Sequence, residues 1–268
     1  MATRLGLPFA VLVGFLFLYA PIASLIVFSF NDSRLVTVWG GFSTRWYAAL
    51  FQDRQLLEAA WLSLRIAFWA ATISLVLGTI AAFVLTRYGR FRLRTLLTGM
   101  VTAPLVMPDV IIGLSLLLLF VAMDQAVGWP AGRGFTTIVI AHATFCTAFV
   151  AVVVQSRLSS MDIDIEEAAQ DLGATPLVVF FTITLPVIAP ALVSGWLLAF
   201  TLSFDDLVIA SFVSGPGSST LPMVIFSRVR LGVSPDVNAL ATLMILAVAV
   251  ALVAAALLQT RARRTGTA

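Results

Sequence analysis

From Leu7 to Phe30 the chain carries no charged side chain. This run constrains the fold more than any other feature. A surface helix of a soluble protein needs a polar face, and roughly twenty consecutive apolar residues suffice to cross the hydrocarbon core of a bilayer. In lipid each backbone N–H and C=O has to be paired within the segment, so a lone span takes the form of a helix. The run also exceeds the roughly 7–15 apolar residues of a cleavable signal core, and it reads as a retained first span. Comparable stretches follow. Spans are expected at about 7–30, 65–86, 95–122, 135–154, 188–212 and 236–258, within one transmembrane domain covering 1–268. Composition agrees, with 60% of residues hydrophobic and 11% charged, where soluble chains carry about 25% charged. The expected class is an all-α polytopic membrane protein with six transmembrane helices.

The spans carry packing signals of their own. Ala70, Ser74, Gly78 and Ala82 recur at every fourth residue of the second span, a ribbon of small side chains that lets helices approach closely in lipid. Pro21 is expected to bend the first span, and Pro104 and Pro108 to break the third near its middle. Gly215 to Pro222 reads as a turn, followed by a short helix at about 223–230. Ser234 and Pro235 read as a cap and a first-turn proline for the sixth span. Trp39, Trp46, Tyr47 and Trp61 lie between the first two spans and suit a membrane interface.

All 16 basic residues are arginine. A nucleotide-binding P-loop sets a lysine on the terminal phosphates, so an ATP-driven machine built on this chain takes its ATPase from another subunit. Arg87, Arg90, Arg92 and Arg94 crowd one short loop, and Arg261, Arg263 and Arg264 follow the last span. Arginine packed closely beside spans marks the cytoplasmic side, which puts both termini inside. The net charge of +3 gives no sign of a nucleic-acid surface. Cys146 stands alone and reads as a small core residue. His142, the one histidine, has no ligand-type neighbours in sequence and makes a poor metal site. It reads as a buried polar residue hydrogen-bonded across helices.

Three acids fall inside spans. Asp109 follows Pro108 in the third, and Asp205 and Asp206 lie in the outer part of the fifth, next to Phe204. A charged side chain facing lipid at a helix centre costs roughly 2.5–3.5 kcal/mol, so such residues face water or a partner. On one reading they line the route of a cationic solute. Asp109 would then sit in the first turn of a half-helix, and Phe200, Phe204 and Phe212 would offer ring faces to an ammonium group. On the other, Asp205 or Asp206 pairs with Arg228 or Arg230, Asp109 serves a helix cap, and the phenylalanines are packing.

Between the fourth and fifth spans lies a polar stretch, about 155–187. Asp164 is placed to cap a short helix, with Glu167 completing a capping box and Gly173 supplying a left-handed stop. Thr175 and Pro176 then open a second helix, which Pro186 is expected to end. Its Leu177, Val178, Phe180, Phe181, Ile183 and Leu185 are too apolar for a helix wholly in water. Asp162, Asp164, Glu166, Glu167 and Asp171 against Arg157 make the stretch acidic and fit an arginine-bearing dock. Glu167-Ala168-Ala169, Gly173, Ile183, Leu185 and Pro186 together resemble the EAA motif of ABC-importer permease subunits. Met107–Phe120, Ser203–Pro222 and Gly232–Thr242 extend the resemblance to the putrescine/spermidine importers of bacteria.

That resemblance implies a type I ABC importer permease fold with a cytoplasmic helical coupling loop. It implies that Glu167, Ala168, Ala169, Gly173, Leu185 and Pro186 couple the chain to a separate cytoplasmic ATPase, present in two copies. It further implies a second permease subunit of different sequence and a binding protein outside that delivers polyamines. The chain would be a multi-pass protein of the bacterial inner membrane and not itself an enzyme. It would hold no catalytic residue, metal or cofactor; ATP with magnesium would be bound by the partner ATPase, and no nucleic acid is involved. Asp109, Phe204, Asp205 and Asp206 would line the substrate path. Permeases for other organic solutes share these features. An ion-driven carrier or channel would have no need of the loop. An intramembrane protease would need two facing acids or a serine–histidine pair, and neighbours such as Asp205 and Asp206 point about 100° apart on a helix.

Overall fold

The computed structural model describes residues 3–35, 38–231 and 235–265, and they are mostly helical. The helices are α1 (Thr3–Phe28), α2 (Arg45–Gln52), α3 (Arg54–Arg87), α4 (Arg94–Val106), α5 (Asp109–Val127), α6 (Phe135–Ser159), α7 (Asp164–Asp171), α8 (Pro176–Val179), α9 (Leu185–Phe204), α10 (Val208–Val213), α11 (Leu221–Leu231) and α12 (Pro235–Thr265). A π-helical turn, Phe180–Thr184, joins α8 to α9. Among the described residues, five segments are long and apolar enough to cross a bilayer: Pro8–Phe28, Arg54–Arg87, Asp109–Val127, Phe135–Ser159 and Pro176–Phe204. A shorter apolar stretch, Pro235–Val250, opens α12. Pro235 is the first residue of that helix, and Ser234 lies outside the described residues.

The helices depart from the expected spans at places with identifiable causes. α3 begins at Arg54, well before Arg65, because Arg54 to Leu64 holds good helix formers and no glycine or proline. The third span breaks at Met107 and Pro108, while Pro104 stays inside α4. Met107 has φ −82° and ψ 137°, the extended backbone that a following proline imposes. The helix after Thr175 does not end at Pro186. It runs through to Phe204, because the turn before the proline widens: the N–H of Leu185 bonds to the carbonyl of Phe180, five residues back. Pro186 has no N–H to give, and its ring crowds the carbonyl four residues back; the π turn makes room for it. The fifth span instead stops at Asp205, and α10 starts afresh at Val208.

The chain divides into two compact units. The larger is Glu58–Val224, and α6 is its centre. Ile138, His142, Cys146, Val150, Val154 and Leu158 recur at every fourth residue of α6, and all are buried. Ile188, Gly195, Ala199 and Ser203 of α9 are buried too, and α9 packs along α6. The small-residue ribbon of α3 meets α6 as well. Ser74 Oγ donates to the carbonyl of Ala143 at 3.0 Å. A β-carbon at Gly78 would stand 2.8 Å from Val150 Cβ, so only glycine permits this approach.

The smaller unit is formed by the two ends of the chain, up to Leu57 and from Ile225. Here α12 packs on α1 and α2. The connection after α1 is tied by a buried amide. Asn31 Nδ2 donates to the carbonyl of Val38 at 2.7 Å, and its Oδ1 accepts from the N–H of Gly40 at 2.7 Å. Trp46 Nε1 donates to the carbonyl of Asn31 at 2.7 Å. Arg228 bridges two acids, with Nη2 at 2.5 Å from Asp53 Oδ2 and Nη1 at 3.0 Å from Asp236 Oδ2.

Candidate functional site

Most of the residues singled out from the sequence lie in two places of the larger unit, the stretch between α6 and α9 and the break between α9 and α10, while Asp109 stands at the start of α5.

In the first, Asp164 is the opening residue of α7 rather than its cap, and the expected box with Glu167 does not form. Asp162 stands before the helix and takes that part, its Oδ1 accepting the N–H of Asp164 at 3.1 Å. Asp164, Glu166 and Glu167 all fall in the first turn, at the positive end of the helix dipole. The helix stops at Gly173 with φ +91°. The N–H of Gly173 bonds to Gln170 O at 2.9 Å and that of Ala174 to Ala169 O at 3.1 Å, the paired bonds of a Schellman stop. Thr175 is extended and Pro176 opens α8, as the sequence indicates.

Glu167 and Ala168 are exposed, Ala169 and Leu185 half-buried, and Pro186 exposed. Around them Ile163, Ile165, Leu177, Val178 and Phe181 are open, and Leu172 is 91% exposed. Asp164 and Asp171 are exposed beside these apolar side chains. Glu166 behaves differently and was not distinguished from its neighbours in the sequence. It is buried; its Oε2 lies 2.8 Å from Arg87 Nε, and its Oε1 accepts from Thr184 Oγ1 at 2.6 Å. One acid of the stretch is therefore neutralised internally. A signal was present, since Glu166 and Glu167 cannot share one face of a helix, but nothing in the sequence chose which turns inward.

At the second place, Asp206 accepts from the backbone N–H of Ile209 at 3.3 Å and of Ala210 at 2.7 Å, holding the start of α10. Its Oδ2 also lies 3.1 Å from His142 Nε2, and His142 Nδ1 is 2.7 Å from Ser203 Oγ. A carboxylate only accepts, so Nε2 donates to Asp206. His142 is thus buried and hydrogen-bonded across helices. The expected pairing of Asp205 or Asp206 with Arg228 or Arg230 is not what occupies these groups: Arg228 holds Asp53 and Asp236, and Arg230 lies over the Phe226 ring. Asp205 is exposed. It follows Phe204, the end of a stacked column in which Trp196 and Phe200 are 5.3 Å apart, and Phe200 and Phe204 6.0 Å. Phe212 stands apart from this column and packs against Gly113 of α5. Asp109 is exposed in the first turn of α5; Pro108 holds the cap position, so Asp109 does not cap. Among the described residues no group of three His, Cys, Asp or Glu could hold a metal ion.

The chain is 66% identical over 239 residues to the putrescine transport system permease protein PotI of Escherichia coli (strain K12), covering 89% of this chain and 85% of that protein. It is 43% identical over 242 residues to the spermidine/putrescine transport system permease protein PotC of the same strain, covering 90% and 89%. Its fold is that of a chain in the crystal structure of a bacterial ABC transporter involved in the import of the acidic polysaccharide alginate, with a TM-score of 0.70 at 16% identity, covering 96% of each chain. A chain of the MetNI methionine ABC transporter matches with a TM-score of 0.60 at 20% identity, covering 75% of this chain and 92% of that one. These matches place the fold among ABC importer permeases. The family described as the inner membrane component of binding-protein-dependent transport systems matches residues 74–264. The chain belongs to that family.

Proposed function

We propose that this chain is the permease subunit of an ATP-driven importer and forms the path for polyamines such as putrescine and spermidine. The observation that carries the solute class is the break after Phe204. It leaves one exposed carboxylate, Asp205, at the end of a column of aromatic rings. Ring faces and a carboxylate attract ammonium groups together. A second exposed carboxylate, Asp109, opens α5 at a mid-span break of the kind where transporters place their sites. Separated acids suit a solute whose charges are separated, and weak attraction at each lets the solute leave again. The putrescine and spermidine/putrescine permeases that this chain resembles support the same class.

In this reading Asp205, Asp109 and Phe204 meet the solute, and Asp206, held by His142 and by α10, fixes the backbone at the break. Glu167, Ala168, Ala169, Gly173, Leu185 and Pro186 belong to the coupling loop, which docks on a cytoplasmic ATPase. The exposed apolar side chains there, Leu172 above all, support a protein partner. Two ATPase copies carry ATP and magnesium, a second permease chain completes the path, and a binding protein outside delivers the solute. The whole chain works as one permease domain, with both termini and the coupling loop in the cytoplasm. The deciding experiment is uptake of labelled putrescine and spermidine by vesicles holding the assembled complex, with binding protein and ATP. ATP-dependent uptake is the expected result. Absence of uptake, with ATP hydrolysis stimulated by the binding protein of another solute, would replace polyamines by that solute.

A further inference from the structure

We propose that Arg87, Glu166 and Thr184 form the joint through which the coupling loop moves the membrane helices, with Arg87 a positioning residue for transport. The proposal rests on reading 155–187 as the ATPase dock. Its starting point is a property of α7: the only side chain this helix buries is a carboxylate, Glu166. A short helix normally fastens itself by an apolar stripe. This one turns its apolar side chains outward and is held from within by an acid. Arg87 is the last residue of α3, and Thr184 is the last residue of the π turn that leads into α9. One carboxylate therefore ties the dock to two membrane helices at once, through Oε2 at 2.8 Å from Arg87 Nε and Oε1 at 2.6 Å from Thr184 Oγ1.

Stability is a poor explanation for this pair. The side chains of Arg87 and Glu166 are only 10% and 8% exposed. Removing two charges from water cancels most of their attraction, and an apolar contact of the same volume would serve the fold as well. The pair is not even fully satisfied. Arg87 Nε approaches Oε2 without pointing at it, and Nη2 is buried with no acceptor among the described residues. What the buried carboxylate supplies and an apolar contact does not is a fixed direction, given by the hydrogen bond from Thr184, and a charge that holds Arg87 beside it. It sets the rotation of α7, and so sends Glu167, about 100° round the helix, outward. Force on the exposed face of α7 then reaches α3 and α9 through a contact that cannot slide.

The test uses the assembled importer in vesicles and reads two quantities: ATPase retained by the membrane complex, and solute taken up per ATP hydrolysed. Glu166→Gln and Arg87→Gln are expected to keep the ATPase bound while uptake per ATP falls by about tenfold, within the usual range of coupling between sites. The exchange Arg87→Glu with Glu166→Arg should recover much of that loss, which a residue acting only in folding would not require. If Glu166→Gln fails to accumulate in the membrane, Thr184→Val decides, since it removes one hydrogen bond at nearly constant volume. A lower uptake per ATP in Thr184→Val supports the joint. An unchanged ratio in the assembled Glu166→Gln or Thr184→Val complex overturns it. Leu172→Asp separates this outcome from failure of the dock itself. Loss of ATPase from that variant keeps the dock, whereas full retention and normal uptake would remove the dock and the joint together.

Discussion

Gly78 and Gly99 are both helical glycines, and their surroundings call for opposite outcomes. A β-carbon at Gly78 meets Val150 at 2.8 Å and the backbone N of Ala151 at 3.0 Å, whereas at Gly99 it meets nothing within 4 Å. Gly78→Ala should therefore destabilise the protein by about 1–3 kcal/mol, the cost of overpacking. Gly99→Ala should be neutral or stabilise by up to about 1 kcal/mol, by removing glycine's backbone freedom from a helix. Thermal unfolding of both variants in detergent checks this. The adjacent acids Asp205 and Asp206 also diverge. Asp205→Asn removes an exposed charge, and it should lower polyamine uptake with little change in unfolding temperature. Asp206→Asn should lower uptake and also stability, by about 1.5 kcal/mol or more, because its carboxylate holds His142 and two backbone N–H groups. Equal stability of the two variants would refute the division of roles drawn between them.

At the scale of elements, the proposed coupling loop depends on where α7 stops. Gly173 has φ +91°, a conformation that side chains strain to adopt, though open space surrounds it. Gly173→Asp should thus cost about 1–2 kcal/mol locally and misdirect α8. Glu167→Ala alters an exposed side chain and leaves the helix intact. Both are expected to reduce ATPase bound to membranes or to uncouple hydrolysis from uptake, with normal amounts of the permease present. Normal uptake in both would defeat the docking role. A proline ends a helix when its ring meets the carbonyl four residues back, but a single widened turn relieves that contact. Pro186 is legible in the sequence. The π turn that accommodates it is seen only in the structure, where its last residue, Thr184, is buried on Glu166.

Across the molecule, residues distant in sequence are joined by charge. In the unit made by the chain ends, Arg228 connects Asp53 with Asp236. Burial pushes the Asp53 carboxyl up, but the hydrogen bond and charge of Arg228, with the N–H of Leu56, pull it further down, below the usual 3.8. A carboxyl depressed on folding adds stability that is present above its unfolded pKa and is lost as pH falls through the folded one. The protein should therefore lose stability on acidification through and below the ordinary aspartate range, and Asp53→Asn should flatten that part of the profile. Unfolding in detergent across this range is the measurement. An identical acid limb in Asp53→Asn would show that the pair does not contribute.

The sequence by itself determined the class, the approximate placing of the apolar runs and the turn at Gly173 and Pro176, because these follow from local facts; where α3, the third span and the fifth span begin and end it did not. Apolar run length sets what crosses a bilayer, and Gly173 and Pro176 bias their own backbone whatever surrounds them. The ribbon from Ala70 to Ala82 was likewise legible, since a four-residue period defines one helix face. Which side chains meet was decided only by the tertiary structure. Nothing local distinguishes Glu166 from Glu167, or commits Asp206 to His142 and leaves Asp205 open. Those choices depend on the rotation of α7 against α3 and of α9 against α6. A helix rotates by about 100° per residue, so the packing of one buried face fixes the partner of every charge on the others.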